Sequence, residues 1–200
     1  AVGSALSQKF DKGNEVSVSF LGDGATEEGH VLEAMNIASL YNLPVLFVIE
    51  NNLYSSHMHM DERRKQPDLQ ELGKLFGIKT LKLDGNDVNE IYNVSGQLID
   101  EIRENSNPQI IECMTFRHRG HVGSSFDIDV GVKRSEELKE WLIKDPIDIE
   151  KIRLKEEGYN DKSVSKIELE IESYLNDMII KVKNSASPNK STIMDHVFAE

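Results

Sequence analysis

The chain has one cysteine, few cations and no long apolar run, and each scarcity excludes something. The lone Cys113 cannot form an intrachain disulfide, and its place in an apolar, strand-like segment predicts a buried, inert thiol. Lys and Arg number 23 against 35 Asp and Glu, a net charge of −12. That balance argues against nucleic acid or an anionic membrane surface as partner, since either would be repelled unless a local basic patch existed. The one candidate patch, Arg63-Arg64-Lys65, reads as solvated charges on a loop. The longest apolar run, residues 43–49, is strand-sized against the roughly 20 residues of a membrane-spanning helix. No basic leader followed by an apolar stretch opens the chain, so a cytoplasmic or matrix-type location is expected. No repeat at a solenoid period and no low-complexity tract is visible. What is present, 200 residues with 38% hydrophobic and 29% charged content, suits a globular chain with one real core and a small appendage. Residues 1–10 carry small and apolar side chains at helical spacing with no cap before them, and a natural protein longer at this end is expected.

Strand and helix patterns alternate along the first part of the chain. Residues 16–21 (VSVSFL) alternate as a strand that stops at Gly22-Asp23-Gly24. Residues 27–42 read as a helix with an acidic first turn, Val31, Ala34, Met35, Ala38 and Tyr41 on one face and Pro44 as its stop. The continuously apolar 45–49 predicts a buried parallel strand. A helix at 68–76 ended by Gly77, a strand at 78–83, a helix at 87–105 capped by Asp87 and Glu90, and a strand at 109–116 complete the series. Such alternation implies an α/β fold, a doubly wound, mainly parallel sheet. Residues 117–134 then lose periodicity, and a loop of this length in a compact domain is usually functional or disordered. C-terminal helices follow at 135–144, from Pro146 to about residue 157, and at 161–183, where Val164, Ile167, Ile171, Leu175, Met178 and Val182 form an apolar stripe read as a packing face. Residues 184–191 are linker-like.

Two clusters stand out: Gly-Asp-Gly after the first strand and Glu50-Asn51-Asn52 after the next. A helix of about 16 residues rises about 24 Å and a six-residue strand returns about 20 Å, so the two meet at one edge of the sheet. That carboxyl edge is where open α/β folds bind ligands. Gly24 permits close approach of a ligand, and the Gly24 and Ala25 N–H groups at the start of the following helix suit a phosphate. The Asp23 carboxylate, an amide oxygen from Asn52 and a nearby main-chain carbonyl are hard donors suited to Mg²⁺ bridging a diphosphate. A Gly-Asp-Gly turn alone is common in loops; the specificity lies in strand, glycine turn, helix, strand and Asn-Asn in order.

The stretch GDGATEEGHVLEAMNIASLYNLPVLFVIENNLY resembles the thiamine-diphosphate motif, and it is similar to the α subunit of the first component of 2-oxo acid dehydrogenases. The likeness continues through LDGND at 83–87, FRHRGHVGSS at 116–125 and KRSEELKEWLIKDPI at 133–147. It implies a thiamine-diphosphate-binding fold over residues 1–147 with a helical extension over 148–200. By the same resemblance Asp23, the Asn52 side chain and the Tyr54 carbonyl would bind Mg²⁺, Gly24 and Ala25 would meet the diphosphate, and His121, flanked by Arg117 and Arg119, would be the catalytic histidine of a mobile loop that also reaches the cofactor. The implied partners are a β subunit carrying the activating glutamate, in a heterotetramer, and a lipoyl-bearing acyltransferase component; the implied substrate is a 2-oxo acid. Glu28 and Glu33, on the helix after the turn, are not given the activating role.

Departures from the pattern bear on the substrate. Ser55-Ser56-His57-Met58 replaces the family's usual small, apolar and Ser-Thr segment, and Val122 takes a place where some relatives carry a regulatory serine. Which 2-oxo acid is used does not transfer. His57 and His59 could form half of a metal site, but no third ligand is evident, and a loop beside the cofactor is the expected reading. His30, His118 and His196 have no evident role. The alternatives are a transketolase-like or carboligating enzyme with the same cofactor, and a non-catalytic assembly module that keeps the fold.

Overall fold

The structure, a computed structural model, describes residues 1–128, 134–195 and 197; residues 129–133 of the expected loop, and His196, lie outside the described residues. The chain divides into two compact units, Ala1–Glu150 and Lys151–Glu200. The first holds helix α1 (Val2–Asp11), strand β1 (Ser17–Gly22), helix α2 (Gly29–Leu40), strands β2 (Val45–Asn51), β3 (Tyr54–Ser55) and β4 (Met58–His59), helices α3 (Met60–Arg63) and α4 (Gln70–Phe76), β5 (Lys79–Asp84), α5 (Val88–Asn105), β6 (Gln109–Met114), α6 (Ser135–Leu142) and the start of α7 (Pro146–Glu156). The second contains the end of α7, then α8 (Asp161–Lys183) and a short 3-10 turn, Lys190–Met194.

Four parallel strands form one sheet in the order β1-β2-β6-β5, and β3 and β4 pair as a short antiparallel hairpin. Successive side chains of a strand point to opposite faces. Val45, Phe47 and Ile49 of β2 therefore join Ile110 beneath α1, α2 and α4, in a core with Ala5, Met35, Ala38 and Leu43. Leu46 and Val48 face the other way and pack with Ile111, Cys113 and the α5 residues Leu98 and Ile102. Helices cover both faces, as in a doubly wound α/β fold. The cover ends before β1, whose Val18 and Phe20 lie level with Leu46 and Val48 yet remain exposed, Phe20 at 70%.

Local chemistry sets the element ends. The Asp87 side chain accepts from the Asn89 and Glu90 N–H groups at 3.0 and 3.1 Å, so α5 begins at an N-cap. Glu90 does not close the cap as expected: its carboxylate accepts from the Asp84 N–H at 3.2 Å and ties the helix to the end of β5. Helix α4 ends at Gly77 with φ +67°, the left-handed conformation glycine adopts without strain.

Three other expectations are corrected. The helix read from residue 27 is preceded by a 3-10 turn, Asp23–Glu27, and begins only at Gly29 with no acid in its first turn. Tyr41, assigned to its buried face, lies beyond the helix and is exposed, because the apolar stripe is interrupted where the chain leaves the helix at Leu40. The stripe of α8 is amphipathic as read, but α8 contains no buried residue among those described. Among the described residues no helix is long and apolar enough to cross a membrane.

Candidate active site at the carboxyl edge of the sheet

In the parallel register Gly22 lies beside Glu50, so β1 and β2 finish level and the residues after them emerge at the same edge. The 3-10 turn after β1 packs against β3, and Gly24 is the point of closest approach. A Cβ on Gly24 would stand 2.7 Å from Ser55 Oγ and 2.8 Å from Ser55 Cβ, so only glycine fits without a shift. The structure thus brings the Gly-Asp-Gly turn against the Tyr54–Ser55 strand, as the matching of helix and strand lengths requires.

Asp23, although in a turn, is 1% exposed. Burying a carboxylate is costly unless it is paired, and the pair is Arg63: its Nη2 donates to Asp23 Oδ2 and its Nη1 to Glu27 Oε1. Arg64 adds a bond from Nε to Glu27 Oε1 at 3.1 Å and one from Nη2 to Thr26 Oγ1 at 2.8 Å. The Thr26 hydroxyl donates in turn to the Asp23 carbonyl at 2.6 Å. Two of the three cations read as solvated loop charges are therefore folded onto the Gly-Asp-Gly turn. The turn's two acids, Asp23 and Glu27, are the signal in the sequence that they needed partners.

The second cluster is organised by Asn51, to which the sequence reading gave no separate role. Its Nδ2 donates to Glu112 Oε1 at 2.7 Å, its Oδ1 accepts from the Leu53 N–H at 3.0 Å, and its carbonyl accepts from the Thr115 N–H at 2.9 Å. Glu112 is itself buried, with Lys82 Nζ 3.6 Å away. Asn52 Oδ1 accepts from the Tyr54 N–H at 3.0 Å, a local side-chain turn that holds the Tyr54 backbone. Leu53 and Ser56 take φ values of +67° and +53°, strained for side-chain-bearing residues; Asn51 holds the first through its N–H and Arg117 the second through its carbonyl. The Asp23 and Asn52 side chains form no hydrogen bond to each other among the described residues; Arg63 holds the first and the Tyr54 backbone the second.

His121 stands exposed on the loop after β6, its ring centroid 6.4 Å from that of His57 at an angle of 82°. His59 turns elsewhere, accepting from the Asp61 N–H at 3.2 Å and meeting the Tyr54 ring edge-on, so the two hairpin imidazoles have separate partners. The loop is fastened near both of its described ends. Arg117 donates through Nε and Nη2 to Asp127 Oδ2 at 3.0 and 2.6 Å, and through Nη2 to the Ser56 carbonyl at 2.6 Å. Arg134, fully buried, donates to the same Asp127 oxygen at 3.1 Å while its guanidinium lies 3.9 Å from the Tyr54 ring and 4.1 Å from the Phe116 ring. Burial pushes the Tyr54 phenol above its ordinary pKa of 10.0, against the opposing pull of Arg134. Asp127 Oδ1 and His118 Nε2 are buried with no hydrogen-bond partner among the described residues. Arg134 and Asp127 were not singled out from the sequence. An arginine and an aspartate inside a loop give no periodic signal, and only the fold shows that they meet.

An open depression of about 350 Å³, lined by Ser55, Ser56, His57, Met58 and Glu62, borders the hairpin. A second cleft, of about 290 Å³, includes Lys79 and Gln109 at the amino ends of β5 and β6; its charged pair, Lys79 and Glu101, is closed on itself at 2.8 Å. The chemistry-bearing side chains gather at the carboxyl edge.

Known proteins give this arrangement a lineage. The family model described as "Dehydrogenase E1 component" matches residues 1–191. The chain is 34% identical over 197 residues to the pyruvate dehydrogenase E1 component subunit alpha of Rickettsia bellii (strain RML369-C), covering 98% of this chain and 60% of that protein. It is 32% identical over 202 residues to the protein of the same description from Acholeplasma laidlawii, covering 100% of this chain and 58% of the relative. It is 30% identical over 207 residues to the chloroplastic subunit alpha-3 of Arabidopsis thaliana, covering 100% and 48%. The chain spans between 48% and 60% of the length of these relatives. The match runs through both the Gly-Asp-Gly turn and the histidine loop, and the chain belongs to the dehydrogenase E1 component family.

Proposed function

We propose that this chain is the α-type part of a thiamine-diphosphate-dependent 2-oxo acid dehydrogenase, which decarboxylates a 2-oxo acid and passes the acyl group to a lipoyl arm. The observation that carries the reading is the buried Asp23 carboxylate beside Gly24, in a turn pressed so closely on Ser55 that a Cβ would collide. The donor set fits the group: Asp23 is an anionic oxygen donor already matched to a cation, Asn52 offers an amide oxygen, and Tyr54 offers a carbonyl on the turn that Asn52 shapes. In this reading Asp23, Asn52 and the Tyr54 carbonyl hold Mg²⁺, while the Gly24 and Ala25 backbone meets the diphosphate.

Bound thiamine diphosphate would supply the reactive thiazolium carbon and the electron sink. The chain supplies position. Glu112 fixes Asn51, Asn51 fixes the turn at Leu53, and Asn52 fixes Tyr54, so the Asn52 and Tyr54 oxygens that would hold Mg²⁺ rest on this network. In this reading His121, on a loop fastened through Arg117 and Arg134, would hold or move a proton at its imidazole nitrogen. The partners are a β subunit that contributes the activating glutamate, in a heterotetramer, and a lipoyl-bearing acyltransferase. Residues 1–147 form the cofactor-binding part in this assignment.

Titration calorimetry with thiamine diphosphate, with and without Mg²⁺, on the natural protein and its co-purifying subunits tests the reading. Metal-dependent binding that Asp23→Ala abolishes is expected. Binding that is absent, or indifferent to both metal and Asp23, would overturn it in favour of an assembly module. Sugar or acetoin-type products with no acyl transfer to a lipoyl acceptor would place the chain with carboligating enzymes.

A further inference from the structure

The Asp23 carboxylate is 2% exposed and, among the described residues, one side chain donates to it, Arg63, itself 6% exposed. Glu27 is held twice, by Arg63 and by Arg64 at 3.1 Å. Loss of Arg63 would therefore leave Glu27 with a cation and Asp23 with none. We infer that Arg63 is a tethered counter-cation occupying the metal-binding oxygen of Asp23, and that a divalent cation takes its place there by exchange. The inference rests on the reading of Asp23 as a metal ligand.

Charge and mechanics both favour exchange. A buried carboxylate requires a positive partner whether or not metal is present, because an uncompensated charge in a poorly solvated site is strongly unfavourable. A guanidinium meets that need through hydrogen bonds and a divalent cation through direct coordination, but both claim the same carboxylate oxygens. Arg63 is the last residue of the one-turn helix α3, whose anchor is Met60, 1% exposed in the core with its N–H bonded to the Leu53 carbonyl at 2.7 Å. The turn stays seated by Met60 while the Arg63 side chain swings out, so exchange needs side-chain torsions and no rearrangement of the sheet. The arginine keeps the site formed and charge-balanced without metal, at the cost of competing with it.

The test is Mn²⁺ binding, read by the paramagnetic resonance of free Mn²⁺, on the natural protein with any subunits that purify with it. Four forms are compared: unsubstituted, Arg63→Gln, Asp23→Asn and the double variant. Arg63→Gln should bind Mn²⁺ about tenfold tighter or better, since a competing charge-assisted hydrogen bond is gone, and the gain should vanish in the double variant. Equal or weaker binding by Arg63→Gln, with Asp23→Asn still abolishing it, overturns the exchange and leaves Asp23 a ligand. Binding indifferent to Asp23→Asn overturns the ligand assignment itself.

Discussion

His121 is exposed and, among the described residues, its ring contact is with His57, so its removal should spare the fold. On the proposed function, His121→Ala should leave cofactor binding and thermal stability near those of the unsubstituted protein and slow acyl transfer roughly a hundredfold or more, the usual cost of losing a positioned acid or base. Full turnover by the variant would remove the histidine from the reaction. Cys113 makes an opposite case, a residue whose chemistry is suppressed by its surroundings. Burial, reinforced by the Glu50, Glu112 and Glu90 carboxylates, pushes its pKa from 9.0 up to about 11. The folded thiol thus keeps its proton after the unfolded thiol has lost it. Its contribution to stability is fully present below pH 9 and is lost between about pH 9 and 11, to the extent of about 2–3 kcal/mol. Denaturant titrations across that window should show a shallower decline for Cys113→Ala than for the unsubstituted chain, and parallel declines would refute the assignment. Both the inert thiol and the His121 loop were legible in the sequence, one from its apolar neighbours and the other from the likeness of FRHRGH to a known loop. Asn51, Asp127 and Arg134 were not, because their partners, at Glu112, Arg117 and Tyr54, are set by tertiary contact rather than by spacing along the chain.

Among the elements, α4 lies close against β5 at Gly73. A Cβ on Gly73 would lie 1.9 Å from Thr80 Oγ1 and 2.6 Å from the Ile78 carbonyl. The hydroxyl can rotate away but the carbonyl is backbone, so Gly73→Ala should push α4 outward and cost about 1–3 kcal/mol, despite alanine's better helix propensity. Making room at the hydroxyl with Thr80→Ala should not fully restore the loss, because the Ile78 carbonyl remains; a stabilised Gly73→Ala variant in thermal melts would show that the helix has room. Strands and helices with a clean period were readable because burial imposes the period: continuous apolar β2 lies between two cores, and the Asp87 cap stands where its helix starts. The helix after β1 was read two residues early, because Glu27 and Glu28 resemble an acidic first turn. The actual partners of Glu27 are Arg63 and Arg64, which a local pattern cannot reveal. The carboxyl edge itself was predictable from element lengths, since register follows from geometry before any side chain is placed.

For the molecule as a whole, α8 raises a question of solubility. Ile167, Ile171, Leu175 and Val182 are each more than half exposed along one helix, more apolar surface than an isolated helix keeps in water without consequence. The chain purified by itself should self-associate, with a sedimentation coefficient that climbs with concentration, and Ile171→Glu with Leu175→Glu should abolish the climb. Coefficients independent of concentration in both forms would mean that the face tolerates water. The order β1-β2-β6-β5 carries a different consequence, one of timing. β6 lies between β2 and β5, so β5 has no strand to pair with when it leaves the ribosome, and the inner edge of β2 stays bare from Asn51 until Gln109 has been made. At about 5–20 residues per second that interval lasts seconds, far longer than a helix needs to form. The nascent chain must hold an open, strongly apolar strand edge through that time, so a ribosome stalled within α5 exposes the sequence VLFVI to any chaperone that reads extended hydrophobic segments, and one stalled after Met114 does not.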